Sequence, residues 1–237
     1  MIVICSKRKS RARILKEYPN CVIADCTSQA TDALRKLSPF YPHGNIPVPY
    51  TNGLIKANSV ESIWQGLKVF EHCGIDTELF NYKGLEGLKR TVKKNGRILG
   101  HMRGPYGRID MLLNYLDARL NIYIPTYRWM LENCAFDIIE RLRSVMDDKT
   151  IVLLDYNTNC DIKDLTKPLS HAFLVKAYAE GLPPYEDVKI ETIEHHYYSG
   201  KRDLHWTTTN SSFKLIESNK EPNIQLEIPF DNYEEEN

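Results

Sequence analysis

Residues 151–156 read IVLLDY, a continuous apolar run that ends in an aspartate and a tyrosine. Such runs are typical of a strand that is buried on both faces of a sheet. Two similar short runs, MIVICS and NCVIAD, open the chain and are separated by the charged segment KRKSRARILKEYP. That order predicts a strand, a helix and a second strand. We expect all three apolar runs to form one small sheet.

Much of the rest of the chain carries apolar residues at helical spacing. Helices are predicted at about 59–72 and 76–94, and over 109–146, where Pro125 is expected to kink or divide the helix. A further helix is predicted to start near Pro168 and to stop at Gly181. The predicted fold class is therefore α+β, predominantly helical, with a small β-sheet.

The length of 237 residues accommodates one large domain with a small appendage. We expect a single domain over residues 1–184. After Pro184 the sequence changes to charged and β-branched residues, which predicts a C-terminal extension over residues 185–237. This extension is expected to hold a hairpin around Ser199 and Gly200 and to end in an acidic tail.

Composition excludes several classes of protein. The 31 basic residues balance 31 acidic ones, which argues against binding of duplex nucleic acid mainly by whole-surface charge. The six cysteines form no CxxC pair, so neither a zinc site nor a disulfide framework is indicated, and no metal or cofactor is expected. No run approaches the roughly 18 apolar residues of a membrane span. We therefore expect a cytoplasmic protein with no membrane partner.

One helix face, preceded by an unusual loop, carries the main candidate residues. The segment LSPFYPHGNIPVPY (37–50) is too rich in proline for regular structure and predicts a long ordered loop. In NSVESIWQGLKVF (58–70), helical geometry places Glu61, Gln65 and Lys68 within an arc of about 60°. The alternative is an ordinary solvated face, in which Asn58 and Glu61 form a capping-box-like arrangement.

The series SPFYPHG, IPVPY and SVESIWQGLKVFE resembles the motif of the NADAR superfamily, named for its association with NAD and ADP-ribose. Ser38 and Phe40 match its first block, and Glu61, Gln65 and Lys68 match its second. The resemblance implies an N-glycosidase-like core in which Glu61 is the catalytic residue. It also implies a substrate of the ADP-ribose or ribose-phosphate type, such as a nucleotide or an ADP-ribosylated nucleobase.

The resemblance covers residues 37–71 and departs from the superfamily at several places. Pro39 stands where asparagine is usual and Ser62 stands where histidine follows the glutamate. The closing aspartate, tryptophan and glycine block has no counterpart. Over more of its length the chain is similar to bacterial and phage proteins that share SPFYPHG and PLSHA.

Further ligand contacts are assigned to residues around this helix. We expect Phe40, Tyr41 and Trp64 to sandwich the base of a nucleotide, while Gln65 and Lys68 orient its ribose and phosphate. Residues 83–108 hold eight lysines and arginines against one glutamate, a pattern suited to phosphate binding or to a solvated basic surface. Within that segment the predicted pyrophosphate contacts are Arg97, His101 and Arg103.

The second catalytic acid is predicted to be Asp155, because strand ends of open sheets commonly deliver functional groups. Asp161 is the nearby alternative, and a plain turn-forming role is the other. Three further substrate-binding candidates complete the set: Asn157 in the following turn, His171 at a helix start, and Arg119, whose acceptor is either a protein group or a ligand phosphate.

Three functions are consistent with these residues. The first is a hydrolase of an N-glycosidic bond, an ADP-ribosyl hydrolase in the broad sense. The second is a non-catalytic protein that sequesters an ADP-ribose-like nucleotide signal. The third is a DNA-associated accessory protein tethered by its tail, because IQLEIPF, with Gln225 and Phe230 near its ends, resembles the short peptide that binds bacterial sliding clamps.

Overall fold

The secondary structure alternates short strands with helices. The computed structural model describes residues 1–185, 204–209 and 212–217. The strands are β1 (Ile2–Ser6), β2 (Val22–Asp25), β3 (Ile46–Pro47), β4 (Lys56–Ala57), β5 (Lys68–Phe70), β6 (Ile98–His101), β7 (Ile151–Asp155), β8 (Leu204–Thr209) and β9 (Ser212–Glu217). The α-helices are α1 (Arg11–Glu17), α2 (Val60–Gly66), α3 (Val92–Asn95), α4 (Tyr115–Ala118), α5 (Ile124–Cys134), α6 (Phe136–Met146) and α7 (His171–Glu180). This combination is an α+β fold with a small sheet.

The three predicted apolar runs form one parallel sheet in the order β1-β7-β2. The strand β7 lies in the middle, so Ile151 is opposite Ile2 on one side and Val22 on the other. All five of its residues are buried, as a strand covered on both faces requires. The prediction that these runs share a sheet is confirmed.

The two faces of β7 contact different parts of the core. Ile151 and Leu153 belong to the large cluster that includes the apolar faces of α5, α6 and α7. Val152 and Leu154 lie on the other face, in a small cluster with Ile14 of α1. Because side chains alternate along a strand, Asp155 is on the same face as Ile151 and Leu153. Its carboxylate is therefore directed towards the main core.

The helix α7 covers that face and begins at His171, three residues after the predicted start at Pro168. The Ser170 hydroxyl caps it by accepting a hydrogen bond from the Phe173 N–H at 3.3 Å. The helix ends at Gly181, as predicted, where the left-handed backbone (φ of 64°) suits glycine.

The helix that holds Glu61 is shorter than predicted. It begins after Ser59, which is the cap instead of Asn58, and ends at Gly66. A Cβ on Gly66 would lie 2.5 Å from the Phe80 ring, so glycine permits close packing of the next segment on the helix end. The chain then pairs with β6 as strand β5, and Lys68 is on that strand and not on the helix.

Two other predicted helices are replaced by shorter elements. The region 76–94 holds a 3₁₀ turn at Thr77–Asn81 and the four-residue α3. The region 109–146 holds a 3₁₀ turn at Ile109–Met111, then α4, a π-helical segment at Arg119–Tyr123, α5 and α6. Pro125 lies in the first turn of α5, directly after the π-helical segment, so the helix changes type beside it. A further break within the helical pattern falls at Ala135.

The proline-rich loop contains more regular structure than predicted. Its residues Ile46–Pro47 form β3, which pairs antiparallel with β4, and Val48 N–H donates to the Ile55 carbonyl at 2.9 Å. The chain reverses between these strands through left-handed residues, Tyr50 (φ of 62°) and Asn52 (φ of 51°). The loop is thus an ordered hairpin-like segment.

In the C-terminal region the backbone of β8 pairs antiparallel with β9. The predicted hairpin centre at Ser199 and Gly200, the acidic tail and the clamp-like peptide at 224–230 all lie outside the described residues. Across the described part of the chain, every helix is too short or too polar to cross a lipid bilayer.

Candidate functional site

The carboxylate of Glu61 is buried in the first turn of α2. Its Oε1 accepts a hydrogen bond from Nε2 of Gln65 at 2.8 Å. Its backbone N–H donates to the carbonyl of Pro39 at 2.9 Å. The proline-rich loop is therefore joined to the helix at the leading catalytic residue, and Glu61 is not part of a solvated face.

The loop residues Ser38, Phe40 and Tyr41 flank this junction. Ser38 is buried, and its hydroxyl accepts a hydrogen bond from the Phe40 N–H at 3.3 Å. Phe40 and Tyr41 are half-buried, and the Tyr41 ring lies 4.7 Å from the ring of His43. Ser38 thus shapes the turn that leads into the two aromatic residues, which follow the junction of Pro39 with α2.

The segment after α2 brings a buried amine and a buried imidazole together. Lys68 on β5 is the register partner of His101 on β6, and both side chains are buried. Burial, and then the charge of Lys68, lower the pKa of His101 well below its usual value. The imidazole is therefore neutral at physiological pH. In the described part of the chain, neither of its ring nitrogens has a hydrogen-bond partner.

Aromatic rings surround Trp64, one turn along α2 from Glu61. The ring of His101 lies 3.9 Å from that of Trp64 at an interplanar angle of 35°. Tyr115 and Tyr123 approach Trp64 edge-on at 5.9 and 5.5 Å. Tyr123 also packs against the main core and ends the π-helical segment Arg119–Tyr123, a feature common at functional sites.

Arg90 fixes the end of α2. The sequence did not single out this residue, which is one of the eight lysines and arginines in residues 83–108. Its guanidinium donates to the carbonyl of Lys68 at 2.7 Å and to that of Gln65 at 3.3 Å. Its backbone N–H lies 3.4 Å from Oε1 of Gln65. Arg90 thereby orients the amide that holds Glu61.

A second cluster of buried polar groups lies at the carboxyl end of β7. Oδ2 of Asp155 accepts from the Ser170 hydroxyl at 2.7 Å, lies 3.0 Å from Nδ1 of His171 and is 3.4 Å from the Ala172 N–H. The other ring nitrogen of His171 is 2.9 Å from the Cys26 carbonyl. Every polar atom of this cluster named here has a protein partner, which indicates a structural ion pair.

The pKa values of the pair agree with this geometry. Burial alone would raise the pKa of Asp155, but the nearby His171 and the hydrogen bonds from Ser170 and Ala172 lower it. Burial alone would lower the pKa of His171, but the Asp155 carboxylate raises it well above its usual value. Both groups are therefore charged near neutral pH.

The charges of two polar clusters act on Tyr123. We call them the Glu61 cluster (Glu61, Trp64, Gln65, Lys68 and His101) and the Asp155 cluster (Asp155, Ser170 and His171). Burial raises the pKa of its phenol well above the usual value, and the charges of Glu61 and Asp155 raise it further. Its ring is 6.1 Å from that of Tyr127, which in turn is 6.4 Å from the ring of His171. A row of aromatic rings therefore separates the Glu61 cluster from the Asp155 cluster.

Residues 6–175 match the sequence pattern of a family described as a family of unknown function (DUF6939). The chain belongs to this family. No curated protein and no solved structure matches it. The region shared with DUF6939 contains both polar clusters and ends within α7, so Glu61, His101 and Asp155 all lie in the family domain. The resemblance to the NADAR superfamily stays a prediction.

Within the DUF6939 region, Arg119 has protein acceptors. Its guanidinium donates to the carbonyls of Ile162, Asp164 and Lys167 at 2.7, 3.0 and 2.9 Å, and it lies 4.6 Å from the Tyr115 ring centre. Three charge-assisted bonds hold the loop between β7 and α7. Of the two acceptors left open by the sequence, protein groups are the ones found.

The structure does not bring Arg97 to the Glu61 cluster. Arg97 is exposed and precedes β6, four residues or about 13 Å along the chain from His101. Arg103 is half-buried and lies near Tyr50, because its charge acts on the pKa of that phenol, which burial raises to about 12. Of the predicted pyrophosphate contacts, His101 alone is a member of the Glu61 cluster.

The turn after β7 is organised by its own side chains. Asn157 Oδ1 accepts from the Asn159 N–H at 2.9 Å, and Asp161 Oδ1 accepts from the Lys163 N–H at 2.8 Å. Such bonds are typical of Asx turns. Among the residues that the structure describes, no group of three or more histidines, cysteines, aspartates or glutamates is placed to hold a metal ion.

Proposed function

We propose that the protein binds an ADP-ribose-like nucleotide beside α2 and hydrolyses its N-glycosidic bond, with Glu61 as the catalytic carboxylate. The observation that carries the proposal is the set of buried polar groups at this place: Glu61 held by Gln65, and Lys68 opposite His101. Among them, the imidazole of His101 has no hydrogen-bond partner within the described residues, and burying such a group is unfavourable unless a ligand uses it. The resemblance in residues 37–71 supports the same assignment.

The chemistry requires a negative charge at a fixed place. An N-glycosidic bond breaks through an oxocarbenium-like transition state, which an ionised carboxylate stabilises and to which it delivers an activated water. The water oxygen bonds to the anomeric carbon and its proton passes to the Glu61 carboxylate, while the C–N bonding electrons leave with the base. A nicotinamide leaves as a neutral group, and a base that leaves as an anion takes up a proton. The bond from Gln65 and the junction with Pro39 hold Glu61 in one orientation, as this role needs.

The neighbours of Glu61 suit the rest of a nucleotide. Trp64 carries an indole ring one helical turn from the carboxylate, and Phe40 and Tyr41 follow Pro39, whose carbonyl accepts from the Glu61 N–H. We assign these three rings to stacking on a base. The ammonium group of Lys68 supplies the positive charge that a ribose phosphate requires. We assign Asp155 a structural role instead of a catalytic one, because its carboxylate is occupied by the Ser170 hydroxyl and by the ion pair with His171.

That occupation of Asp155 favours a second candidate function, binding of the nucleotide without cleavage. A glycosidase normally uses a second acid or polar group to assist the departure of the base. With Asp155 engaged, a protein that only sequesters its ligand would need nothing more than the aromatic and buried polar side chains around Trp64.

One experiment separates the two. The protein is incubated with NAD, ADP-ribose and ADP-ribosylated DNA, products are resolved by liquid chromatography with mass detection, and retained nucleotide is measured by equilibrium dialysis. Release of a free base with a ribosyl product supports hydrolysis, whereas retention of intact nucleotide supports sequestration. Binding of none of these compounds would refute both.

A further inference from the structure

The imidazole of His101 is buried in an energetically unfavourable state. Only 2% of the residue surface is exposed, and neither Nδ1 nor Nε2 has a hydrogen-bond partner in the part of the chain that the structure describes. A buried polar group without a partner destabilises a fold. Such a group persists where a ligand completes it or where function requires it.

The backbone, and not the ring, fixes the position of His101. Its N–H and C=O exchange hydrogen bonds with Leu113 at 2.9 and 2.8 Å, while β6 pairs with β5 on its other side. The preceding Gly100 has a φ of 152° and a Cβ there would lie 2.6 Å from the Leu113 carbonyl, so only glycine allows this close approach. The hydrogen-bonded main chain of β6 therefore determines where the His101 ring lies.

The surroundings of the ring define what it can bind. One face stacks with Trp64 at 3.9 Å, and Lys68 lies opposite on the neighbouring strand. Burial and the charge of Lys68 lower the pKa of the imidazole, which makes it neutral, with one N–H donor and one acceptor nitrogen. A phosphate offers acceptors only and suits Lys68 better. A flat nitrogen heterocycle offers both a donor and an acceptor at its edge, which match the acceptor and the donor of the imidazole.

We propose that a movement of the residues packed over this ring exposes its nitrogens to the ligand, and that His101 then recognises the heterocyclic base by hydrogen bonding to its edge beside Trp64. This inference rests on the proposed nucleotide pocket and assigns His101 to the base, where sequence reasoning had assigned it to pyrophosphate. It also supplies a polar group next to a departing base, the role that Asp155 is not free to take.

The test is a calorimetric titration of wild type, His101→Phe and His101→Gln with AMP, nicotinamide mononucleotide and ribose 5-phosphate. The Phe variant keeps a ring against Trp64 but removes both nitrogens. We expect it to bind the two base-containing probes at least about tenfold more weakly, the loss of about one hydrogen bond, and to bind ribose 5-phosphate unchanged. His101→Gln, which restores a donor and an acceptor, should recover part of the affinity.

Thermal melts of the same variants exclude a merely structural role. His101→Phe should melt at or above the wild-type temperature, because an unsatisfied buried group is removed. The matched control is His43→Phe, which deletes a bond that is made, between Nε2 and the Lys36 carbonyl at 2.8 Å, and should melt lower.

Three results would overturn the inference: unchanged affinity of His101→Phe for AMP and the mononucleotide, an equal loss for ribose 5-phosphate, or no binding of the base-containing probes by wild type. Because binding is measured without turnover, this outcome is independent of hydrolysis. A protein that binds AMP through His101 but cleaves nothing refutes the hydrolase and supports the base contact. If wild type and the His101→Phe variant cleave NAD equally well, the hydrolase is supported and the base contact is refuted.

Discussion

Replacing Asp155 with asparagine should destabilise the fold strongly, because it removes the charge that His171 faces. The change weakens the contacts of Oδ2 with the Ser170 hydroxyl at 2.7 Å and with His171 at 3.0 Å. Hydrogen bonds to charged groups contribute about 1.5 to 3 kcal/mol each, and breaking a buried ion pair costs about 3 to 5 kcal/mol. Because these contacts belong to one network, the cost of breaking the ion pair already includes the lost hydrogen bonds, and the two figures are not summed. We expect Asp155→Asn to lose about 3 to 5 kcal/mol.

For a domain of this size, 1 kcal/mol shifts the melting temperature by about 2 to 4 °C. Asp155→Asn should therefore melt about 6 to 20 °C below wild type in a calorimetric or circular dichroism scan. The matched control is Asp161→Asn, where an exposed carboxylate closes a turn through Oδ1 and asparagine can make the same bond. This control should stay within about 0.5 kcal/mol of wild type. A variant at Asp155 that melts like wild type but loses all turnover would refute the structural role and restore the catalytic one.

Three further predictions concern stability. Because folding raises the pKa of His171, the ion pair stabilises the fold fully below pH 6.5, and this stabilisation is lost as pH rises through the pKa of His171 in the folded protein. Because folding lowers the pKa of Asp155, the stabilisation is also lost as pH falls from 3.8 through the pKa of Asp155 in the folded protein. The difference in urea midpoint between wild type and Asp155→Asn should therefore be largest between pH 3.8 and pH 6.5, and a difference that grows with alkaline pH would contradict the pairing. Arg119→Lys should lose two of the three hydrogen bonds to loop carbonyls. At about 1.5 kcal/mol for each bond, urea unfolding should show a loss of about 3 kcal/mol of stability. An unchanged stability would show that the loop does not depend on Arg119. Gly66→Ala should cost about 1 to 3 kcal/mol because its methyl would meet Phe80 at 2.5 Å, and Gly74→Ala, whose Cβ meets nothing within 4 Å, is the control.

The central sheet could be predicted from the sequence because each strand is a short, strongly apolar run. The helices were less predictable where tertiary pairing overrides local periodicity. Residues 67–70 continue the helical pattern of α2, yet Lys68 and Phe70 pair with β6. The partner strand lies some thirty residues away, so no local rule could indicate it. Gly66, a close-packing position at the helix end, was the available signal.

The part of the site that could be predicted is the part that depends on local spacing along the chain. Glu61 and Gln65 are one helical turn apart, so their contact follows from spacing alone. The direction of Asp155 did not follow from its place at a strand end. It depends on strand alternation, which directs Asp155 into the main core, where His171 meets it. The partners of Arg119 are carbonyl groups of a distant loop, which carry no sequence signal.

The most direct test of the account is the activity of Glu61→Gln, measured as base release from NAD and from ADP-ribosylated DNA, beside Glu86→Gln on the exposed surface. We predict that wild type and Glu86→Gln release base and that Glu61→Gln, which keeps the bond to Gln65, binds nucleotide but releases base about 10²- to 10⁴-fold more slowly. Full turnover by Glu61→Gln would contradict the account.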